Sequence, residues 1–288
     1  MLIIYDFISY TDVFTYNITT LESLLIYAMK TITYQSDYLG NGFEFATINQ
    51  PDDYEGKVVA TVIRKQCSMP SNKAVLYVHG FNDYFFQSDM AHRFNEKEYH
   101  FYAIDLRKYG RSTLPHQKSN NMRSLTEYFA DLDEALDIIR QEGNEQVLLS
   151  GHSTGGLLVT LYASERVGNE KFDTIFCNSP FYDMNMPGYQ KRLLVPLVAL
   201  FGKYFPDVLL PGKISEWYGH SLHGEKKGEW DYNLVWKPHL VPALNAGWIS
   251  AIHQGHTKIK KGIILTRPIL VMHSHQSIYS NDWNTSFF

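Results

Sequence analysis

Cysteine is nearly absent from this sequence. Only Cys67 and Cys177 occur in 288 residues, too few for a disulfide framework and too far apart for a C-x-x-C metal pair. Reduced, structural thiols follow from that count, and they fit a cytoplasmic setting. An excess of either charge is missing too: 26 basic side chains face 30 acidic ones, a formal net charge of -4. Such a balance gives no electrostatic case for nucleic acid or an anionic membrane as the main partner. No apolar run approaches the roughly 20 residues of a membrane span. The opening MLIIYDF carries Asp6 and no basic stretch, so it does not have the shape of a signal peptide. Internal repeats and low-complexity segments are also lacking.

What is present suits a globular chain: 44% hydrophobic and 15% aromatic residues, with enough length for one large α/β domain or two small ones. Residues 1–35 read as an N-terminal extension, with a short helix over Leu21–Met29, and 36–288 as the main domain. GFEFATI (42–48) and KVVATVI (57–63) predict strands joined by the turn-rich QPDDYEG. AVLYVHG (74–80) and YHFYAIDL (99–106) suit strands of a parallel sheet buried on two faces. Ser124 and Glu127 form a capping-box pattern, and Leu125, Phe129, Leu132, Leu136 and Ile139 follow at helical spacing until Gly143. QVLLS (146–150), DTIFCN (173–178) and PILVMH (268–273) read as strands, and Thr154–Arg166 as a helix. Strand and helix alternate, so the fold class is α/β with a mostly parallel, twisted sheet and helices on both faces. The segment of about 180–262 breaks the rhythm and is rich in Pro, Tyr, Trp and Leu. An insertion between two strands emerges over their carboxyl ends, so it reads as a helical cap, the alternative being ordinary packing helices.

VLLSGHSTGG (147–156) contains G-x-S-x-G, a pattern that chance alone supplies in about one chain in ten of this length. Its setting carries more weight, since a strand runs into a tight turn and a helix follows. Gly151 and Gly155 allow the backbone approach that such a turn needs, and Ser153 then stands at a helix N-terminus where negative charge is favoured. Ser153 is the candidate nucleophile; the alternative is a structural turn serine. His152 adjoins it, but neighbours on such a turn point apart, so packing or a turn-fixing hydrogen bond is its expected role. An acyl-transfer site needs two donors for the oxyanion. The Thr154 N–H is one candidate. The other is the Phe81 N–H, in the loop that His79 and Gly80 open after the strand ending at Val78.

YVHGF (77–81), DLRKYGRS (105–112), SGHSTGG (150–156) and NSPFYD (178–183) resemble the α/β-hydrolase superfamily, in particular its monoacylglycerol-lipase-like and serine-aminopeptidase-like branch. EWDYNLVWKP (229–238) and AGWISAI (246–252) are similar to the lid and its approach in a bacterial subgroup of that branch. The resemblance runs from about residue 38 to the C-terminus. It implies a serine hydrolase acting on a carboxylic ester, less often an amide, without metal or cofactor. The aromatic, aliphatic cap points to a small apolar acyl substrate. Arg107, Tyr109, Gly110 and Arg111 are expected to fix the loop after the fourth strand, and Asp105, which ends that strand, to be structural.

The expected order in this fold is serine, acid, histidine, with the acid after PILVMH and the histidine after one further strand. The chain stops about fifteen residues past His273, so the last strand, its histidine and the closing helix are expected to be missing. Position 277 holds Ser277 where an acid is expected, leaving Asp282 as the acid candidate and Asp183 as the alternative. His273 and His275 flank the last strand, while His220, His223, His239, His253 and His256 lie in the insertion as substitute bases. Two readings stay open: a working esterase or lipase, and an inactive or truncated protein of the same fold. Oligomeric state is not legible.

Overall fold

Burial along the strands sets the place each one takes. β2 (Glu44–Asp53) alternates buried and exposed side chains, as a strand with one wet face does, whereas β4 (Lys73–Val78) and β5 (His100–Asp105) are buried along nearly their whole length. The computed structural model describes residues 32–211 and 216–275. Contacts divide the chain into Met1–Thr33 and Tyr34–Phe288, and the described elements belong to the second unit. The helix expected over Leu21–Met29 lies outside the described residues.

Among the described residues, eight strands form one sheet in the order β1-β2-β3-β5-β4-β6-β7-β8. β1 (Gln35–Ser36), β2, β3 (Gly56–Lys65) and β5 pair antiparallel in succession. From β5 onward, β4, β6 (Gln146–His152), β7 (Thr174–Asn178) and β8 (Ile269–Met272) pair parallel. The QPDD portion of the expected turn stays in β2, where Gln50 still pairs with Val58 and, after a register shift, Asp53 with Gly56. The reversal is confined to Tyr54 and Glu55, with Asp53 Oδ1 accepting the Glu55 N–H at 2.7 Å.

The connections place a crevice. From β4 the chain passes through α1 (Ser88–Asn95) to β5 on one side, then through α2 (Phe129–Gln141) back to β6 on the other. From β6 it continues through α3 (Thr154–Glu165) to β7, further from β5. The loops after β4 and β6 therefore leave in opposite directions, and ligands bind at such a point in an open α/β sheet. The capping box of Ser124 and Glu127 forms as expected, but it opens a 3-10 turn (Leu125–Tyr128) before α2 begins. Phe129, Leu132, Leu136 and Ile139 of α2 are buried, each stabilising the fold by about 1.5–3 kcal/mol. Arg107, just past β5, grips buried Asp131 of α2 through its backbone N–H (3.0 Å) and its guanidinium (Nη2 to Oδ1, 2.6 Å).

Between β7 and β8 lie one π-type turn (Gln190–Leu194), α4 (Val195–Tyr204), α5 (Trp217–Leu222) and α6 (Ala246–Lys260). α6 packs on α3: a Cβ added at Gly255 would come within 3.0 Å of Leu161 Cδ1. The stretch between α5 and α6 lays Tyr232 against Tyr84 and Phe86, in the loop after β4.

Candidate active site

β6 delivers Ser153 into a conformation that side chains avoid. Its φ is 54° and its ψ is -119°, between the end of the strand and the first turn of α3. Three hydrogen bonds hold it there. The Ser153 N–H donates to the Asn178 carbonyl (3.1 Å), and its own carbonyl accepts from the Leu157 N–H (3.2 Å) and the Phe181 N–H (2.8 Å). The first follows from sheet register, because His152 pairs with Asn178. The glycines of the motif are explained by close approach. A Cβ at Gly151 would stand 2.5 Å from the Gly155 carbonyl oxygen, and one at Gly155 would stand 2.3 Å from the His79 carbonyl oxygen.

Register also brings the loop after β4 to the serine. Val78 pairs with Gly151, so Gly80 and Ser153, each two residues further on, come level. A Cβ added at Gly80 would lie 3.0 Å from Ser153 Cβ. His79 fixes this loop, as its sequence position suggests. Its Nε2 accepts the Leu106 N–H (3.1 Å), so its Nδ1 carries the proton and donates to the Gly80 carbonyl (2.8 Å). Both nitrogens are engaged, which removes His79 as a base. Holding the Gly80 carbonyl turns the trans-related N–H of Phe81 the opposite way. The Phe81 ring meets Trp248 of α6 at 4.9 Å, and Phe181 meets the same indole at 6.5 Å, so aromatic walls line this side. Thr154 opens α3, where the N–H groups of the first turn have no partner within the helix.

Beyond His152 lies a cavity of about 420 Å³. Tyr77, His152 and Asn178 line it from the strand ends, Asp83 and Phe86 from the loop after β4, and Tyr218, Trp230 and Lys237 from the segment between β7 and β8. Burial holds the His152 imidazole below its ordinary value; Asp83 opposes that effect, and Lys237 and His79 add to it. Asp105 is fully buried and accepts the Phe85 N–H (2.8 Å) and an Arg111 guanidinium nitrogen (2.8 Å), a loop-fixing role.

Several of the described acid and base candidates are engaged by other groups. Asp183 binds Lys191 (2.7 Å) and Lys260 (3.3 Å); burial works against its charge, but those ammonium groups keep its carboxyl below the usual range. Asp282 and Ser277 lie outside the described residues. His273 is exposed and hydrogen-bonds the Ser274 carbonyl, and the His256 Nε2 hydrogen-bonds the Phe181 carbonyl (2.7 Å). His239 sits between His220 and His223, with ring centroids 5.0 and 5.3 Å away. Among the described residues, none forms a hydrogen bond with Ser153 Oγ, and no group of His, Cys, Asp and Glu is arranged to hold a metal ion. Sequence reasoning missed the Asn178 and Phe181 backbone groups that hold the turn, and the Asp83–Lys237 ion pair (2.8 Å). Nothing local announces that pair, since its partners are 154 positions apart.

The family described as "Serine aminopeptidase, S33" matches residues 69–279. Epoxide hydrolase 4 of Mus musculus is 34% identical over 90 residues, 31% of this chain; the match spans 23% of the mouse protein. Among solved structures, a soluble variant of the Saccharomyces cerevisiae monoglyceride lipase, in complex with a substrate analogue, aligns over 85% of this chain and 78% of its own. Its TM-score is 0.56 at 17% identity. The Paleococcus ferrophilus monoacylglycerol lipase gives 0.54 at 18% identity, covering 74% of this chain and 77% of its own. A thermostable carboxyl esterase from Bacillus coagulans gives 0.55 at 15% identity, covering 78% of each chain. At these identities the likeness is one of fold.

Proposed function

Because the chain belongs to the serine aminopeptidase S33 family, within the α/β-hydrolase superfamily, we propose that it hydrolyses carboxylic esters through an acyl-enzyme on Ser153. The observation that carries this reading is the strained backbone of Ser153. Strain at a side-chain-bearing residue persists only where the surroundings over-determine it, and such sites cluster where chemistry is done. In this reading Ser153 Oγ attacks the ester carbonyl carbon and loses its proton to a base. The Phe81 and Thr154 N–H groups receive the oxyanion, helped by the N-terminus of α3. The tetrahedral species collapses as the C–O bond to the alcohol breaks and the alcohol takes up the proton. Water then cleaves the acyl-enzyme. The cavity and the Phe81, Trp248 and Phe181 rings favour an apolar acyl group. In this reading the insertion of about 180–262 serves as its cap.

One observation favours a second reading. Among the described residues no histidine is hydrogen-bonded to Ser153 Oγ, so they supply no general base. A protein of this fold without a base is a binder, or turns over only at the ~10³–10⁴-fold rate over water that hole and binding provide. A fluorophosphonate probe separates the two. Attack forms a Ser153 Oγ–P bond, breaks P–F and releases fluoride, while the hydroxyl proton goes to the base. Labelling of the unaltered chain but not of Ser153→Ala supports the hydrolase; no labelling of folded protein overturns it.

A further inference from the structure

The loop that carries the Phe81 N–H is held at three places, and they belong to different parts of the fold. Its start is fixed by His79, through Leu106 and Gly80. Its far end is fixed by Asp105, which accepts the Phe85 N–H. The two residues directly after Phe81 are gripped from elsewhere, by the strap of residues 229–238 between α5 and α6. Lys237 Nζ bonds Asp83 Oδ1 (2.8 Å) and reaches the Asn82 carbonyl oxygen (3.5 Å). The Asn82 side chain donates to the Pro238 carbonyl (3.2 Å), and the Asn233 N–H donates to Tyr84 Oη (2.7 Å). The grip is largely buried: the Lys237 and Asp83 side chains are 6% and 8% exposed. Asn82 has a φ of 50°, so it resists relaxing into an ordinary turn only while it is held.

We infer that Lys237 is a positioning residue: through Asp83 and Asn82 it sets the direction of the Phe81 N–H, so the strap completes the oxyanion hole. The inference rests on the reading of Phe81 as an oxyanion donor. Ordinary packing of a strap would call for apolar contact alone, which Tyr232 and Trp236 already make with Tyr84. A buried ammonium is costly to place and is justified by the two groups it fixes. Displacing the strap would then disarm the site without moving Ser153.

Two readouts test this in the full chain. The first is fluorophosphonate labelling, resolved into the affinity of the probe and the limiting rate of Oγ–P bond formation. The second is the amide resonance of Phe81 in ¹⁵N-phenylalanine-labelled protein. Lys237→Met removes the ammonium, and Asn82→Gly removes the Pro238 contact while tolerating the positive φ, a milder variant should the first fail to fold. The expected result is a limiting rate at least ~10-fold lower, within the ~10²–10³ that loss of a whole donor costs, with probe affinity little changed and the Phe81 resonance shifted. Unchanged limiting rate in folded variants overturns the inference, as does an unmoved Phe81 resonance. Failure of the unaltered chain to label overturns the hydrolase reading instead, and the resonance then decides the clamp by itself.

Discussion

With φ at 54° and ψ at -119°, Ser153 occupies backbone space in which only a residue without Cβ is at ease, so Ser153→Gly is expected to stabilise the fold. For glycine this conformation equals its mirror image, which lies in the ordinary extended region. The serine strain amounts to about 1–3 kcal/mol. Glycine gives back ~0.5–1 kcal/mol through its freer unfolded chain. No described residue hydrogen-bonds the hydroxyl, so no polar contact among them is lost with it. The net gain is about 1 kcal/mol, or roughly 2–4 °C in midpoint for a domain of this size. Ser153→Ala is the control, since it removes the hydroxyl and keeps the Cβ that creates the strain. Urea and thermal unfolding of the three proteins measure it. If the glycine variant is no more stable than the alanine variant, the strain is not where the backbone angles put it.

Other substitutions test the surroundings. Arg107→Met or Asp131→Asn alone leaves a buried charge unpaired and is expected to cost about 3–5 kcal/mol, while Arg107→Met combined with Asp131→Asn, whose amide oxygen can still accept the backbone N–H of residue 107, costs less; chemical denaturation shows whether the double change is the milder. Gly155→Ala puts a Cβ 2.3 Å from one sheet carbonyl oxygen and 2.4 Å from another, so its cost should exceed the ~1–3 kcal/mol of ordinary overpacking. Failure to unfold at lower urea than the unaltered chain would count against that. Burial holds His152 and His256 below the ordinary histidine value, so the unfolded chain binds those protons more readily than the folded one. Their contribution is present above about pH 6.5 and is lost as pH falls below it. Unfolding midpoints measured from pH 7.5 to 5 should therefore decline, and less steeply in His256→Asn.

Much of the fold is legible because its strands are marked by composition. β4, β5, β6 and β7 are short apolar runs bounded by turns, and the period changes to helical at Phe129 and at Thr154. The elbow is legible because three glycines crowd one serine, and each meets backbone or Pro180 at close range. β1 has only two residues and no pattern of its own; it exists because Gln35 and Ser36 meet Phe45 and Glu44. α1 holds one buried residue, Ala91, too little to set an amphipathic period. The strap could be singled out as a stretch, but its pairing of Lys237 with Asp83 depends on tertiary packing that no spacing encodes. The membership of the cavity is of the same kind, since its lining comes from three distant segments.

The hydrogen bonds that hold Ser153 also place its strained turn in time. Two of the three come from Asn178 and Phe181, which the ribosome makes some twenty-five residues after the serine itself. Until β7 docks beside β6, only the Leu157 bond of the three opposes relaxation of the turn. A nascent or partly opened chain thus holds this serine less firmly, and the strained turn is completed only when folding closes over it.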